Sequence, residues 1–106
     1  MIITEKAKEF FYKSQAEYII INKKRDENFS GCGCSSESVV TLSPKVSLSY
    51  GKISEDYYTE DVDGIKIAIE KSIFKTIRKN TKIDVVGFLS LKNLYIQNFI
   101  PIVIKQ

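Results

Sequence analysis

Apolar residues recur along this chain in two periods, and the switches between those periods mark its elements. Met1 to Thr4 reads as a short strand or lead-in. Ala7, Phe10, Phe11 and Ser14 then share one helical stripe, with Thr4 placed to cap it and Glu5 in the first turn. This predicts a helix over residues 4–16. Glu17 to Asn22 (EYIIIN) is dense in β-branched residues and too short for a buried helix, so it reads as a central strand. Lys23 to Ser38 is polar and longer than an ordinary connection, and reads as a loop. Val39 to Leu48 is a strand interrupted at Pro44, a residue that belongs on an edge or at a bulge.

Ile53 to Val62 reads as another strand, and Asp63-Gly64 after it is the sequence of a two-residue type I′ turn. Ile65 to Glu70 then alternates with period 2, as a half-buried strand does. Ser72 is placed to cap a short helix over 73–79, with Ile73 and Ile77 inward and Lys71, Lys75, Arg78 and Lys79 outward. Ile83 to Leu89 and Leu91 to Gln97 read as a hairpin, and Phe99 to Ile104, broken by Pro101, as an edge strand. The sum is a mainly β fold, α+β by content, with two short helices in one domain over residues 1–106.

Composition fits that picture. With 43% hydrophobic and 27% charged residues in 106 positions, the chain is an ordinary globular domain with one core. No secretory signal opens it and no apolar run is long enough for a membrane span, so a cytoplasmic location and no membrane partner are expected. The net charge of +3 is unevenly laid out, at +2 over residues 1–53, −5 over 54–70 and +6 over 71–106. Two solvated faces that attract each other would explain this, as would the steering of a partner. The basic segment KSIFKTIRK lacks the character of a nucleic-acid reader, so no nucleic acid is expected. There is no His, which excludes Ser-His-Asp and Cys-His catalysis, HExxH metalloprotease chemistry and Cys/His zinc sites.

What remains is a pair of thiols. Cys32 and Cys34, the chain's only cysteines, stand one residue apart in Ser30-Gly31-Cys32-Gly33-Cys34-Ser35-Ser36. Gly31, Gly33 and Ser35 fill no core and leave the backbone free to bring both sulfurs to one point. In a reducing compartment such thiols are redox-active or metal-bound more often than structurally bridged. A disulfide across one intervening residue closes a small strained ring that is easily reduced. Lys23, Lys24 and Arg25 could depress a thiol pKa if the loop folds back on them. As metal ligands, two thiolates suit Cu(I), whereas zinc or an iron–sulfur cluster calls for four, which a homodimer with facing loops would supply.

Asp63-Gly64-Ile65-Lys66-Ile67-Ala68-Ile69-Glu70, then Ser72, Ile83-Asp84 and Leu94 to Asn98, follow an order that resembles the HesB-like, or A-type iron–sulfur carrier, domain. The resemblance covers roughly residues 1–99 and sets Gly33-Cys34-Ser35 where that family keeps its loop cysteine. It implies a HesB-like β-sandwich or pseudobarrel and an accessory role in iron–sulfur biogenesis. The carriers add a C-terminal Cys-Gly-Cys, while Asn98 to Gln106 contains no cysteine and Cys32 stands beside Cys34 instead. That pattern is similar to a HesB-like branch of unknown function with paired cysteines, or a cysteine and a selenocysteine. Three functions follow as expectations. Cys32 and Cys34 act as a thiol redox site; or they bind a metal or cluster (iron–sulfur, iron, copper or zinc) across a homodimer; or the domain is a non-catalytic interaction module. The first two imply a protein partner for thiol or cluster exchange.

Overall fold

The computed structural model describes residues 1–29, 38–87 and 91–105. In chain order its elements are β1 (Ile2–Ile3), α1 (Glu5–Ser14), β2 (Tyr18–Phe29), β3 (Ser38–Ser49), β4 (Tyr57–Val62), β5 (Ile65–Glu70), a 3₁₀ helix (Lys71–Thr76), β6 (Lys82–Val86), β7 (Asn93–Gln97) and β8 (Ile102–Lys105). The fold is mainly β with two short helices, as the residue pattern predicts. Five strands in the order β4-β5-β2-β3-β8 form one sheet, and β1-β6-β7 form a second.

Isoleucine builds the core. Ile19 and Ile21 of β2, Ile67 and Ile69 of β5, and Ile83 of β6 are fully buried in one cluster that also takes in Ile3, Ala7, Phe11 and Ile73. Residues from both sheets and both helices therefore share one apolar interior, each buried Ile contributing about 1.5–3 kcal/mol of transfer free energy. Helix α1 begins where the sequence places it, with the Thr4 hydroxyl accepting the Ala7 N–H at 3.2 Å. It ends at Ser14, two residues short of residue 16, because Gln15 adopts the left-handed conformation, φ 60°.

The Asp63-Gly64 turn is as expected. Both residues have positive φ, 53° and 83°, the type I′ requirement, and the Gly64 N–H is held by Asp61 Oδ1 at 2.9 Å. Gly87 is the other glycine that the backbone requires: at φ 120°, a Cβ there would lie 2.2 Å from the Leu91 carbonyl oxygen.

Four expectations change. The polar stretch after Asn22 is not a loop up to Ser38, because β2 runs on to Phe29 and pairs with β3 residue by residue, from Lys23 opposite Pro44 to Phe29 opposite Ser38. Strand β3 likewise passes through Pro44 unbroken; β8 covers it only from Val39 to Leu42, so Pro44 stands where one side of β3 has no hydrogen-bonded neighbour. Residues 53–56 are not strand, since β4 starts at Tyr57, after the turn in which Asp56 accepts the Lys71 N–H. The second helix is a 3₁₀ helix at 71–76, not 73–79, with no side-chain cap from Ser72. Ile73 is nonetheless buried, Ile77 is half-buried, and Lys71, Lys75, Arg78 and Lys79 face solvent.

The β6–β7 hairpin and the β8 edge strand follow the sequence reading, with shorter bounds; residues 88–90, part of the expected Ile83–Leu89 strand, lie outside the described residues.

Candidate functional site

Ile19 and Ile21 lie between β5 and β3, but β5 pairs with β2 only as far as Ile21. Beyond it β2 continues with β3 alone on one side, and β8 lies on the far side of β3. Side chains of residues 23–27 are exposed. This antiparallel arm ends at the register partners Phe29 and Ser38, which brings their Cα atoms to about 5 Å of each other. Residues 30–37 join those ends. Gly31, Cys32, Gly33, Cys34 and Ser35 all fall among them, outside the described residues.

The strand revises one part of the thiol chemistry. Lys23, Lys24 and Arg25 are ladder residues of β2, and six residues of strand put Lys23 about 20 Å from Phe29. They belong to the strand and not to the loop that the sequence reading placed them in. Arg25 is further engaged by Glu27 at 2.7 Å on the same face of the strand.

Where β2 parts from β5, a polar seam closes the sheet. Glu70 Oε2 accepts the Lys23 backbone N–H at 2.6 Å, and the Tyr57 hydroxyl donates to Asn22 Oδ1. Burial raises the Tyr57 pKa above that of a free phenol, and the carboxylates of Glu70 and Asp56 push it the same way. Glu70 thus supplies the acceptor that the departing strand would otherwise lack.

A second polar cluster joins the helix to the small sheet. Asp84 Oδ1 accepts from Thr4 Oγ1 and from its neighbour's Val85 N–H, both at 2.8 Å, and Oδ2 accepts from the Tyr95 hydroxyl at 3.2 Å. The Thr4 and Val85 donors hold the Asp84 pKa below the usual carboxylate value, and the Tyr95 phenol is raised by burial and by that carboxylate. Because Thr4 gives its proton to Asp84, its lone pairs are free for the Ala7 N–H, so one carboxylate orients the helix cap. This is the residue whose role the sequence did not reveal. The available signal was that Asp84 is the only acid between residues 71 and 106.

Among the described residues, no three His, Cys, Asp or Glu side chains come together as metal ligands, and no helix is long and apolar enough to cross a membrane. A cleft of about 550 Å³ lies between α1 and the end of β6, floored by Phe10 and Val85 and rimmed by Lys6, Lys13 and Lys92. Glu9 neutralises Lys13 there at 2.7 Å.

The fold and the thiol pair can be set beside known proteins. No curated protein and no solved structure matches the chain. The model of the CC/Se motif containing family matches residues 1–99, a span that takes in α1, β2 to β7 and both cysteines. The chain belongs to the CC/Se motif containing family.

Proposed function

We propose that this protein is a thiol redox protein whose working groups are Cys32 and Cys34. The observation that carries the reading is the pairing itself: the chain's only two thiols sit one residue apart, inside the span matched by a family described by a CC/Se motif. A position served by sulfur in one protein and selenium in another is one at which the chalcogen reacts, since a selenol is ionised at neutral pH and packing alone gains nothing from it. The arm supports the reading in a second way. It brings the two ends of the 30–37 connection together at Phe29 and Ser38, where, among the described residues, β3 is the one strand paired with β2.

The exchange runs in two steps. One thiolate of the pair attacks a disulfide on a protein partner, forming a mixed disulfide and expelling the partner's other thiolate, which takes up a proton. The second thiol loses its proton and attacks the mixed bond, closing the Cys32–Cys34 disulfide and releasing the partner's remaining thiolate. Two electrons pass from the chain to the partner. The small ring formed is strained, so the reverse direction, oxidation of a partner dithiol, is favoured when the chain starts oxidised. A cytoplasmic setting, with its reducing poise, would reset the pair.

The ordering of the Asp63–Glu70 hairpin, Ser72 and Ile83-Asp84 also supports a kinship with HesB-like domains, and with it the second reading, a metal or cluster accessory role. Against that role stands the donor set, two thiolates per chain where zinc or an iron–sulfur centre takes four ligands. Anaerobic purification followed by metal analysis, a visible spectrum and mass spectrometry after mild oxidation separates the two. The redox reading predicts metal-free protein that loses two hydrogens reversibly. Iron, copper or zinc at about half an equivalent per chain, lost in Cys32→Ser and Cys34→Ser, would replace it with the metal reading.

A further inference from the structure

The two outer strands of the five-stranded sheet are finished differently. Strand β4 closes one side and carries Glu60 and Asp61, both exposed. Charges of this kind keep a bare strand edge from pairing with other chains. Strand β8 closes the other side without them. No residue from Asn93 to Ile104 is charged, and Lys105 ends the strand. Among the described residues β8 pairs with β3 alone, so the backbone groups along its outer edge have no strand partner.

The side chains of β8 are incompletely covered as well. Ile102 and Ile104 lie opposite Leu42 and Val40, so the four share one face of the sheet. Val40 is 3% exposed and Leu42 packs against the core, whereas Ile104, one strand farther out, is 41% exposed. Val103, beside Thr41 on the opposite face, is 55% exposed. One more strand outside β8 would satisfy the edge and cover these side chains.

Register sets that edge beside the thiols. Lys105 stands opposite Val39, and its neighbour Ser38 is the residue at which the 30–37 connection joins β3. A strand added outside β8 lies two strand spacings from β3, about 10 Å. Cys34 is four residues from Ser38, a length of chain that spans at most about 14 Å. A group on the added strand near the Lys105 end is therefore within reach of the pair. A strand added outside β4 would lie four spacings from β3, about 19 Å.

We infer that the outer edge of β8 captures an extended, uncharged segment of the protein partner as a sixth strand, and that this segment carries the sulfur on which Cys32 and Cys34 act. The capture follows from the sheet; what the segment carries rests on the redox reading. Main-chain hydrogen bonds hold the segment, and apolar residues at alternate positions, on the face of Ile102 and Ile104, give it preference. A disulfide in a helical stretch, whose backbone donors are already used, is not presented in this way.

The test uses the reduced full chain and two short peptides of alternating Thr and Val, with cysteine first or last, capped as its thionitrobenzoate disulfide. One thiolate attacks the peptide sulfur and expels thionitrobenzoate; the second closes the Cys32–Cys34 disulfide and releases the peptide thiol. N-acetylcysteine capped in the same way is the reference without a strand. At least one peptide should release thionitrobenzoate about tenfold faster than the reference, or more. Its form N-methylated at every amide should fall back to the reference rate. So should the unmethylated peptide with Val103→Asp, a variant whose rate on the reference stays that of wild type. Val103→Thr takes its place if circular dichroism shows Val103→Asp to be unfolded.

A labelled peptide without cysteine should bind the Cys32→Ser/Cys34→Ser chain, by fluorescence anisotropy, about tenfold more tightly than the same chain with Val103→Asp. Peptides that neither bind nor outpace the reference overturn the inference and leave the redox reading standing. Binding without release from any probe, the reference included, retires the redox reading and keeps the edge as a docking site. A wild type that dimerises in sedimentation and is made monomeric by Val103→Asp also overturns the inference, because a second copy then holds the edge.

Discussion

Strand β2 is one continuous element in two environments. From Tyr18 to Asn22 it has β3 on one side and β5 on the other over Ile19–Ile21, and Ile19 and Ile21 retain no exposed surface. From Lys23 to Glu27 it pairs, among the described residues, with β3 alone, and every side chain is exposed. The first stretch is held by burial and the second by a hydrogen-bonded ladder. The Glu70–Lys23 contact marks the boundary between them. Local opening should accordingly cost far less in the arm than in the core. Substitutions in the two regions should differ accordingly.

The largest effect belongs to the core half. Ile21→Ala or Ile67→Ala should lower stability by about 2–5 kcal/mol, with a fall in Tm of at least about 10 °C, measured by denaturant and thermal unfolding. If Ile21→Ala cost no more than an arm substitution, the division would collapse.

Next comes the cap. Asp84→Ala removes the acceptor for Thr4, Val85 and Tyr95 and should cost about 1–3 kcal/mol. Because the folded Asp84 pKa is depressed, its contribution is fully present above the unfolded value near 3.9 and is lost as pH falls through the folded value. The gap between wild type and Asp84→Ala should therefore shrink on acidification below pH 4. A gap that is constant with pH would show that the carboxylate charge is not what holds the cap.

In the arm, Arg25→Ala should cost no more than about 1 kcal/mol, since the Arg25–Glu27 pair is solvent-screened. A loss of several kcal/mol would make the arm part of the core. The smallest effect is expected at the cysteines: Cys32→Ser and Cys34→Ser should leave the unfolding midpoint of the reduced protein unchanged within about 0.5 kcal/mol, while abolishing reversible oxidation.

The same division explains what could be read from the residues. The core half was legible because burial imposes a pattern: EYIIIN, IKIAIE and the Ala7–Phe11 stripe each match one period, and Asp63-Gly64 names its own turn. Thr4 was legible as a cap, but its dependence on Asp84, eighty positions away, leaves no local trace. The arm was misread as loop because NKKRDENF shows no alternation. A strand with one neighbour and two wet faces needs none, and its partner SVVTLSPK carries the apolar side chains for both. The 3₁₀ helix was misplaced for a related reason, since its start is set by Asp56 accepting the Lys71 N–H and not by a capping side chain. Of the site itself, the sequence showed the thiol pair and the structure shows what presents its two ends.

The function proposed for that pair has one plain test. The full chain is equilibrated anaerobically in graded dithiol–disulfide buffers, and the fraction of Cys32–Cys34 disulfide is counted by alkylation and mass spectrometry. A redox pair predicts a single two-electron curve, with a midpoint less negative than about −270 mV because the ring is strained. Independent alkylation of two ordinary thiols across the whole range, with no intramolecular disulfide at any potential, would contradict it.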